Sequence, residues 1–153
     1  MKKFPRTTVA GVSLPRMIIG TNWMLGYSHR TASADAMIRQ RYASREAVCD
    51  TVSAYLSYGI DAMMAPFVSD DLTVKSVLMD GIHMAEQKMG RRVILIDTPT
   101  FHVEDTPEAR DYTARKLELC AQNGATFCLL HHSSVEKLVR KSTGEIERLE
   151  EYT

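Results

Sequence analysis

Four short, almost continuously apolar runs recur along the chain, at residues 16–22, 60–66, 92–99 and 126–132. Apolarity without polar alternation is typical of strands covered on both faces, as in a parallel sheet. Three of the runs follow a glycine at the place where a helix would end: Gly59, Gly90 and Gly124. The runs are therefore predicted to be four parallel strands.

The segments between the runs place their apolar residues at helical spacing. The three faces comprise Val48, Val52, Tyr55 and Leu56, then Val74, Val77, Leu78, Ile82, Ala85 and Met89, and then Ala109, Tyr112, Thr113, Leu117 and Cys120. Thr106, followed by proline and glutamate, is typical of a helix start. Ser133 with Glu136, and Ser142 with Glu145, form capping boxes that predict a short helix and then a last helix.

Two further features frame the strands. Residues 7–14 resemble a small hairpin that turns near Gly11, and we expect it to lie under the sheet, where the strands begin. Residues 23–43 separate the first strand from the first helix, which is long for such a connection. A long inserted loop of this kind is typical of a lid or a binding element.

A hairpin followed by four βα units predicts an α/β fold, half of a TIM-type (β/α)8 barrel, with residues 1–153 as a single domain. A half barrel has two open sheet edges. The last helical pattern also breaks off at residues 150–153. We therefore expect either the N-terminal half of a longer barrel or a half that pairs with a second copy. A doubly wound sheet of four or five strands is the alternative.

Composition narrows the classes of partner. The 19 basic residues balance the 19 acidic ones, so no net field favours nucleic acid or an anionic membrane, and a small-molecule ligand is expected. The basic start of the chain lacks the apolar core of a signal peptide, and no run is long enough to span a membrane, so a cytoplasmic location is predicted. The three cysteines, Cys49, Cys120 and Cys128, are interpreted as reduced core thiols.

Candidate chemistry is expected where parallel strands end, because strand-to-helix loops converge there. Asn22 follows the first strand, and Asp97 ends the third after four apolar residues. Burial would raise the pKa of Asp97 unless a cation, metal or donor compensates. Asp97 is interpreted either as a general base or metal ligand, or as a structural acceptor of backbone hydrogen bonds.

The fourth run ends in His131 and His132. Strand alternation would send their side chains to opposite faces, so one at most would point into a barrel. His131 is the catalytic candidate, with a structural histidine whose ring is satisfied by backbone groups as the alternative, and His132 is given a role in ligand binding or in holding the following helix. In the inserted loop, His29 and Arg30 are candidates for gripping an oxygen-rich ligand.

Several catalytic signatures are absent from the sequence. It contains no GxGxxG, GxxxxGK[ST], GxSxG or HExxH motif, and no strand end carries a lysine. The sequence therefore lacks the motifs that mark dinucleotide-binding sheets, P-loop enzymes, hydrolases with a nucleophile elbow and zincins.

The stretch VAGVSLPRMIIGT, residues 9–21, resembles the opening of the aldo-keto reductases, in which a hairpin leads into a strand ending in Gly-Thr. YGID at residues 58–61 is similar to the start of that family's second strand. LLH at residues 129–131 is similar to its fourth strand, which would make His131 the catalytic histidine. The resemblance implies a barrel of that shape.

The chain departs from the aldo-keto reductase pattern at the ends of strands two and three. The family has an aspartate at the end of strand two and a tyrosine acid soon after, where this chain has MAPF at residues 64–67. It has a lysine after strand three, where this chain has Asp97 and Thr98. His131 alone carries over, so the resemblance supports the shape and argues against that family's hydride chemistry.

We therefore expect a barrel enzyme that acts on a small polar compound, carbonyl or carbohydrate-like, with Asp97 and His131 in acid-base or metal-assisted chemistry. Asn22, His29, Arg30 and His132 would bind the substrate. A divalent metal held by Asp97 and His131 ranks above NADP as cofactor. The alternatives are an aldo-keto-reductase-like oxidoreductase whose acid has moved to another residue, and a non-catalytic barrel fragment.

Overall fold

A computed structural model describes residues 4–138. Its strands are β1 (Arg6–Val9), β2 (Val12–Pro15), β3 (Ile19–Gly20), β4 (Ala62–Ala65), β5 (Ile94–Asp97) and β6 (Ala125–Cys128). Its helices are α1 (Ala32–Arg41), α2 (Arg45–Ser57), α3 (Ser76–Met89), α4 (Pro107–Gln122) and α5 (His132–Val135), and a 3-10 turn follows at Glu136–Leu138. The capping box at Ser142 and the last predicted helix lie outside the described residues.

The main sheet has the order β3-β4-β5-β6, and each neighbouring pair is parallel. Helices separate the successive strands, which confirms the predicted α/β alternation. The spatial order of these strands follows the order of the chain. Gly59, Gly90 and Gly124 all have a positive φ and follow α2, α3 and α4, as the sequence predicts.

The hairpin β1–β2 lies where the strands begin. Arg6 donates to the Asp61 carboxylate at 2.8 Å and to the Gly59 carbonyl at 3.2 Å, just before β4. Leu14 packs against Ala62 and Ile96 of the sheet. The hairpin therefore covers one face of the sheet near the N-terminal ends of its strands, as expected.

Helices cover the opposite face. Side chains of β3, β4 and β5 join α2 and α3 in the larger apolar cluster, which contains Ile19, Met63, Ala65 and Leu95 from the strands. Gly81 lets these two helices approach each other closely, because a Cβ there would lie only 2.5 Å from the Cβ of Val48. The sheet thus has one face packed by helices and another partly covered by the hairpin.

The structure differs from the predicted elements in three places. The inserted loop contains a helix, α1, which periodicity did not reveal because Ile38 is its sole buried residue. Strand β6 ends at Cys128, before the histidines. Cys128 itself is exposed, so its assignment to the core is wrong, whereas Cys49 and Cys120 are buried as expected.

Among residues 4–138, no helix combines the length and the apolar composition needed to cross a bilayer.

Candidate functional site

The carboxyl ends of the four parallel strands surround a cavity of about 1060 Å³. Each strand is followed by residues that line it. These residues include Thr21 and Asn22 after β3, Pro66 after β4, Thr98 and Thr100 after β5, and Leu129, Leu130, His131 and His132 after β6. The cavity therefore lies where the convergence of strand-to-helix loops predicts a site.

The inserted loop supplies an aromatic wall of this cavity. Trp23 and Tyr27 line it and remain 58% and 53% exposed, and Tyr42 and Tyr55 line it as well. Large uncovered aromatic faces beside polar groups suit ligands that present both an apolar face and hydroxyl groups.

Asn22 and His29, both predicted to bind substrate, are brought together at the cavity. The Asn22 amide nitrogen lies 2.9 Å from Nε2 of His29. An amide NH₂ can only donate, so Nε2 of His29 accepts this hydrogen bond. Arg30, by contrast, is exposed and is not among the cavity-lining residues; its backbone N–H donates to the Ser28 hydroxyl at 3.2 Å.

A second carboxylate, which the sequence did not single out, lies on the rim of the cavity. The Asp70 side chain is 78% exposed, and its Oδ1 accepts a hydrogen bond from Nζ of Lys116 at 2.7 Å. The Thr100 hydroxyl also donates to Oδ1. These two hydrogen bonds, that of Lys116 first, lower the pKa of Asp70, so its carboxylate is ionised at neutral pH.

Lys116 is fully buried on the inner face of α4, which is rare for a lysine. Its ammonium also donates to the Thr100 hydroxyl at 2.8 Å and to the Tyr112 hydroxyl at 3.1 Å. Burial opposes the charge, but the hydrogen bonds to Asp70 and Tyr112 outweigh it, and the pKa of Lys116 is raised. We call Asp70, Thr100, Tyr112 and Lys116 the rim cluster.

The rim cluster escaped sequence reasoning for two reasons. Apolar spacing predicts that Leu117 lies on the buried face of α4, yet Leu117 is 40% exposed and its neighbour Lys116 takes the inward position. The available signal was the spacing: Lys116 lies four residues after Tyr112 and four before Cys120, so it shares their face. Asp70 lies five residues past the end of β4 at Ala65, outside the strand-end positions where chemistry is expected.

His131 and His132 lie beside each other, with ring centroids 4.2 Å apart, and both line the cavity. The expectation that they point to opposite faces is therefore wrong. Alternation holds within a strand, and β6 has already ended at Cys128. The rings approach each other because the chain turns into α5 directly after His131.

His131 is the N-cap of α5, whereas the capping box predicts that Ser133 has this role. The backbone N–H of Ser133 donates to Nδ1 of His131 at 3.3 Å, and the Ser133 hydroxyl lies 2.7 Å from the same nitrogen. Nδ1 therefore accepts, and the neutral ring keeps its proton on Nε2. Burial, together with the adjacent His132, lowers the pKa of His131, so the ring is neutral at pH 7.

Asp97 lies elsewhere. It is fully buried, and strand alternation turns it to the face of Leu95, which packs against the helices. Its Oδ1 accepts the backbone N–H of Phe67 at 3.2 Å, and burial raises its pKa, as expected. Asp97 is not among the cavity-lining residues, so the structure does not bring its carboxylate together with His131.

Metal-ligating side chains do not converge in the described part of the chain: residues 4–138 contain no group of three or more His, Cys, Asp or Glu side chains arranged to hold an ion. Comparisons with protein-family models, with curated proteins and with solved structures find no match to this chain.

Proposed function

We propose that this chain forms the N-terminal half of a (β/α)8-type barrel enzyme that acts on a small polar compound, carbonyl or carbohydrate-like, by binding its hydroxyl groups and polarising one of its oxygens. The observation that supports this most is a charged acceptor and a neutral donor on one cavity: the ionised carboxylate of Asp70 and the Nε2–H imidazole of His131. Both are held by groups outside the cavity lining, Lys116 and Ser133.

Asp70 has the properties of a ligand acceptor. Lys116 and Thr100 both bind its Oδ1, and no hydrogen bond from residues 4–138 goes to its Oδ2. That oxygen is available to a hydroxyl group of a ligand. Because the pKa of Asp70 is lowered, the carboxylate is a weak base and acts best as a charged hydrogen-bond acceptor.

His131 would polarise a carbonyl or hydroxyl group of the substrate. A neutral imidazole can donate a hydrogen bond from Nε2 to a substrate oxygen on which negative charge develops. The ring does this without carrying a positive charge itself. Asn22 and His29 would orient the remaining polar groups, and Trp23 would cover an apolar face of the ligand. His132, beside His131 on the cavity, would contact the ligand as well.

The sheet supports the barrel part of the proposal. The four parallel strands follow chain order, and a hairpin lies at their N-terminal ends. This arrangement is expected for half of a (β/α)8 barrel, whereas doubly wound sheets reverse strand order at a switch point. Met64, Ile94 and Phe127 on the hairpin-covered face are only partly buried. Either further βα units or a second copy would complete that cover.

One observation favours a second reaction, carbonyl reduction with a nicotinamide cofactor. The Tyr112 hydroxyl lies 3.1 Å from Nζ of Lys116, so an acid of the type used by aldo-keto reductases is present on a different element. Tyr112 does not line the cavity, which is why we rank this reaction second. A titration with NADPH that shows no change in protein or nucleotide fluorescence would remove it.

The proposal is tested by ligand binding. The protein is titrated by calorimetry with a panel of neutral sugars and small hydroxyaldehydes. For a compound that binds, Asp70→Asn and His131→Gln are each expected to weaken binding about tenfold, the loss of one charge-assisted or buried hydrogen bond. Asp80→Asn and His83→Gln, exposed substitutions on α3, are the matched controls and should bind as the wild type does.

Circular dichroism and urea unfolding of each variant separate loss of binding from loss of the fold. If folded Asp70→Asn and His131→Gln bind the compound as tightly as the controls do, the cavity is not the site and the proposal fails. If no member of the panel binds the wild type, the carbonyl or carbohydrate-like class is wrong.

A further inference from the structure

One basic side chain of the cavity has no partner of its own. Lys75 is the one lysine or arginine among residues 4–138 that lines the cavity, and it is half-buried there. Within the same residues its ammonium makes no ion pair and no hydrogen bond. A lysine ammonium that lacks an acceptor can bind an anionic group of a ligand. The proposed function has so far given Lys75 no role.

The backbone of Lys75 is fixed near the carboxyl end of β4. Its N–H donates to the Phe67 carbonyl at 3.0 Å, and Val68 forms an antiparallel bridge with Val74. Phe67 is fully buried, and its own N–H donates to the Asp97 carboxylate of β5 at 3.2 Å. The loop between β4 and α3 is therefore closed at its base and tied to the sheet. The Lys75 side chain consequently starts from a fixed position at the cavity.

The balance of charge in the cavity favours an anion. Asp70 is the one acidic residue among the described residues that line it, and Lys116 already forms an ion pair with Asp70 at 2.7 Å. Hydrogen bonds from Lys116 and Thr100 lower the pKa of Asp70, and the charge of Lys75 adds to their effect, so Lys75 lies within electrostatic reach of Asp70. Two cations thus act on one carboxylate. One positive charge remains for a ligand.

We propose that Lys75 binds a carboxylate group of the substrate, so that the small polar compound is a sugar acid or another hydroxy acid. Lys75 would act in the same cavity and on the same ligand as Asp70 and His131, so this role rests on the proposed function. The ammonium of Lys75 would hold the carboxylate. Oδ2 of Asp70 and the Nε2–H of His131 would take the hydroxyl and carbonyl groups of the same molecule.

The surroundings of Lys75 suit a carboxylate better than a phosphate. A carboxylate carries one negative charge, which the single ammonium balances. A phosphate monoester carries about two charges at neutral pH. It is commonly cradled by several backbone N–H groups of a glycine-rich loop. The loop at residues 66–75 contains no glycine.

The test compares compounds that share a sugar ring and differ at one carbon. Calorimetric titrations use glucose, glucuronate and glucose 6-phosphate as one matched set, and galactose and galacturonate as another. A uronate is expected to bind at least about tenfold more tightly than its neutral sugar. Raising the salt concentration should weaken binding of the uronate and leave binding of the neutral sugar unchanged, because salt screens the charge of Lys75.

Lys75→Met removes the charge and keeps a side chain of similar length. It is expected to weaken uronate binding about tenfold and to leave neutral-sugar binding unchanged. Lys75→Arg keeps the charge and should retain most of the preference for the uronate. Lys88→Met, near the other end of α3, removes the same charge from an exposed ion pair with Asp50 and is the matched control. It should bind every compound as the wild type does.

Equal affinity for a sugar and its uronate would overturn the carboxylate site and leave the proposed function in place. So would an equal loss of both ligands in Lys75→Met that circular dichroism shows to be folded. Tighter binding of glucose 6-phosphate than of glucuronate would overturn the choice of carboxylate. If Asp70→Asn and His131→Gln bind the uronate as the wild type does while Lys75→Met does not, the proposed function fails and the anion site stands. Should Lys75→Met fail to fold, the wild-type affinities, their salt dependence and Lys75→Arg decide.

Discussion

Asp70 and Asp97 are two carboxylates treated in opposite ways by one fold. Asp70 is open to water and is bound by a buried cation, so its pKa is lowered. Asp97 is closed to water, has one backbone donor and has one oxygen without a partner, so its pKa is raised. A carboxylate's environment, and not its position at a strand end, therefore decides whether it is charged and available to a ligand.

The largest expected effect comes from removing the charge that pairs with buried Lys116. Asp70→Asn leaves that ammonium with neutral partners only, and we expect the free energy of unfolding to fall by about 2 kcal/mol, less than for a completely buried pair because water reaches Asp70. Urea unfolding measures it. Lys116→Met in the Asp70→Asn background removes the stranded charge and should recover part of the loss. A double variant less stable than Asp70→Asn would contradict the ion-pair interpretation.

Asp97→Ala should cost somewhat less, about 1–2 kcal/mol, because the buried N–H of Phe67 loses its acceptor. Asp97→Asn is the matched variant: its amide oxygen can still accept from Phe67, and we expect it to be at least as stable as the wild type at neutral pH. Thermal and urea unfolding compare the two. Equal destabilisation by the alanine and asparagine variants would show that the charge of Asp97, rather than its hydrogen bond from Phe67, supports the fold.

The two carboxylates should give opposite pH dependences. The pKa of Asp97 is higher in the folded than in the unfolded protein, so its contribution to stability is present at acid pH and is lost as pH rises through the folded pKa. The pKa of Asp70 is lower in the folded protein, so its contribution is present above 3.8 and is lost as pH falls through the folded pKa.

This difference is read from the free energy of unfolding between acid and neutral pH. Relative to Asp97→Asn, the wild type should lose stability as pH rises. Relative to Asp70→Asn, it should lose stability as pH falls towards strong acid. Parallel curves for either pair would mean that the carboxylate concerned has the same pKa in the folded and unfolded states.

The smallest effect on stability is expected at the aromatic side of the cavity. Asn22→Ala removes one exposed hydrogen bond to His29 and should change the free energy of unfolding by less than about 0.5 kcal/mol. If Asn22 orients the ligand, the same variant should still weaken binding measurably in the calorimetric titration. Unchanged binding would confine the ligand to the rim cluster and the two histidines after β6.

Local patterns determined much of the fold. The apolar runs identified strands β4 to β6, the glycines marked the ends of α2, α3 and α4, and the hairpin was placed correctly at the start of the strands. These features are recognisable because burial on both faces, left-handed backbone and tight turns each restrict the residue types that fit. Helix α1 escaped because it buries little apolar surface, so its sequence has almost no amphipathic period.

The apolar runs and glycines therefore predict the four parallel strands, the helices α2, α3 and α4, and the end of the sheet where the cavity lies. Which polar side chains meet at that cavity depends on packing between segments that are distant in the chain. Lys116 faces inward because Asp70, Thr100 and Tyr112, from three different segments, satisfy its ammonium together. Asp97 faces the helices because Leu95, on the same side of β5, packs in the apolar cluster with the distant helix α2. Such choices depend on contacts between residues far apart in the chain, and a local pattern holds no record of them.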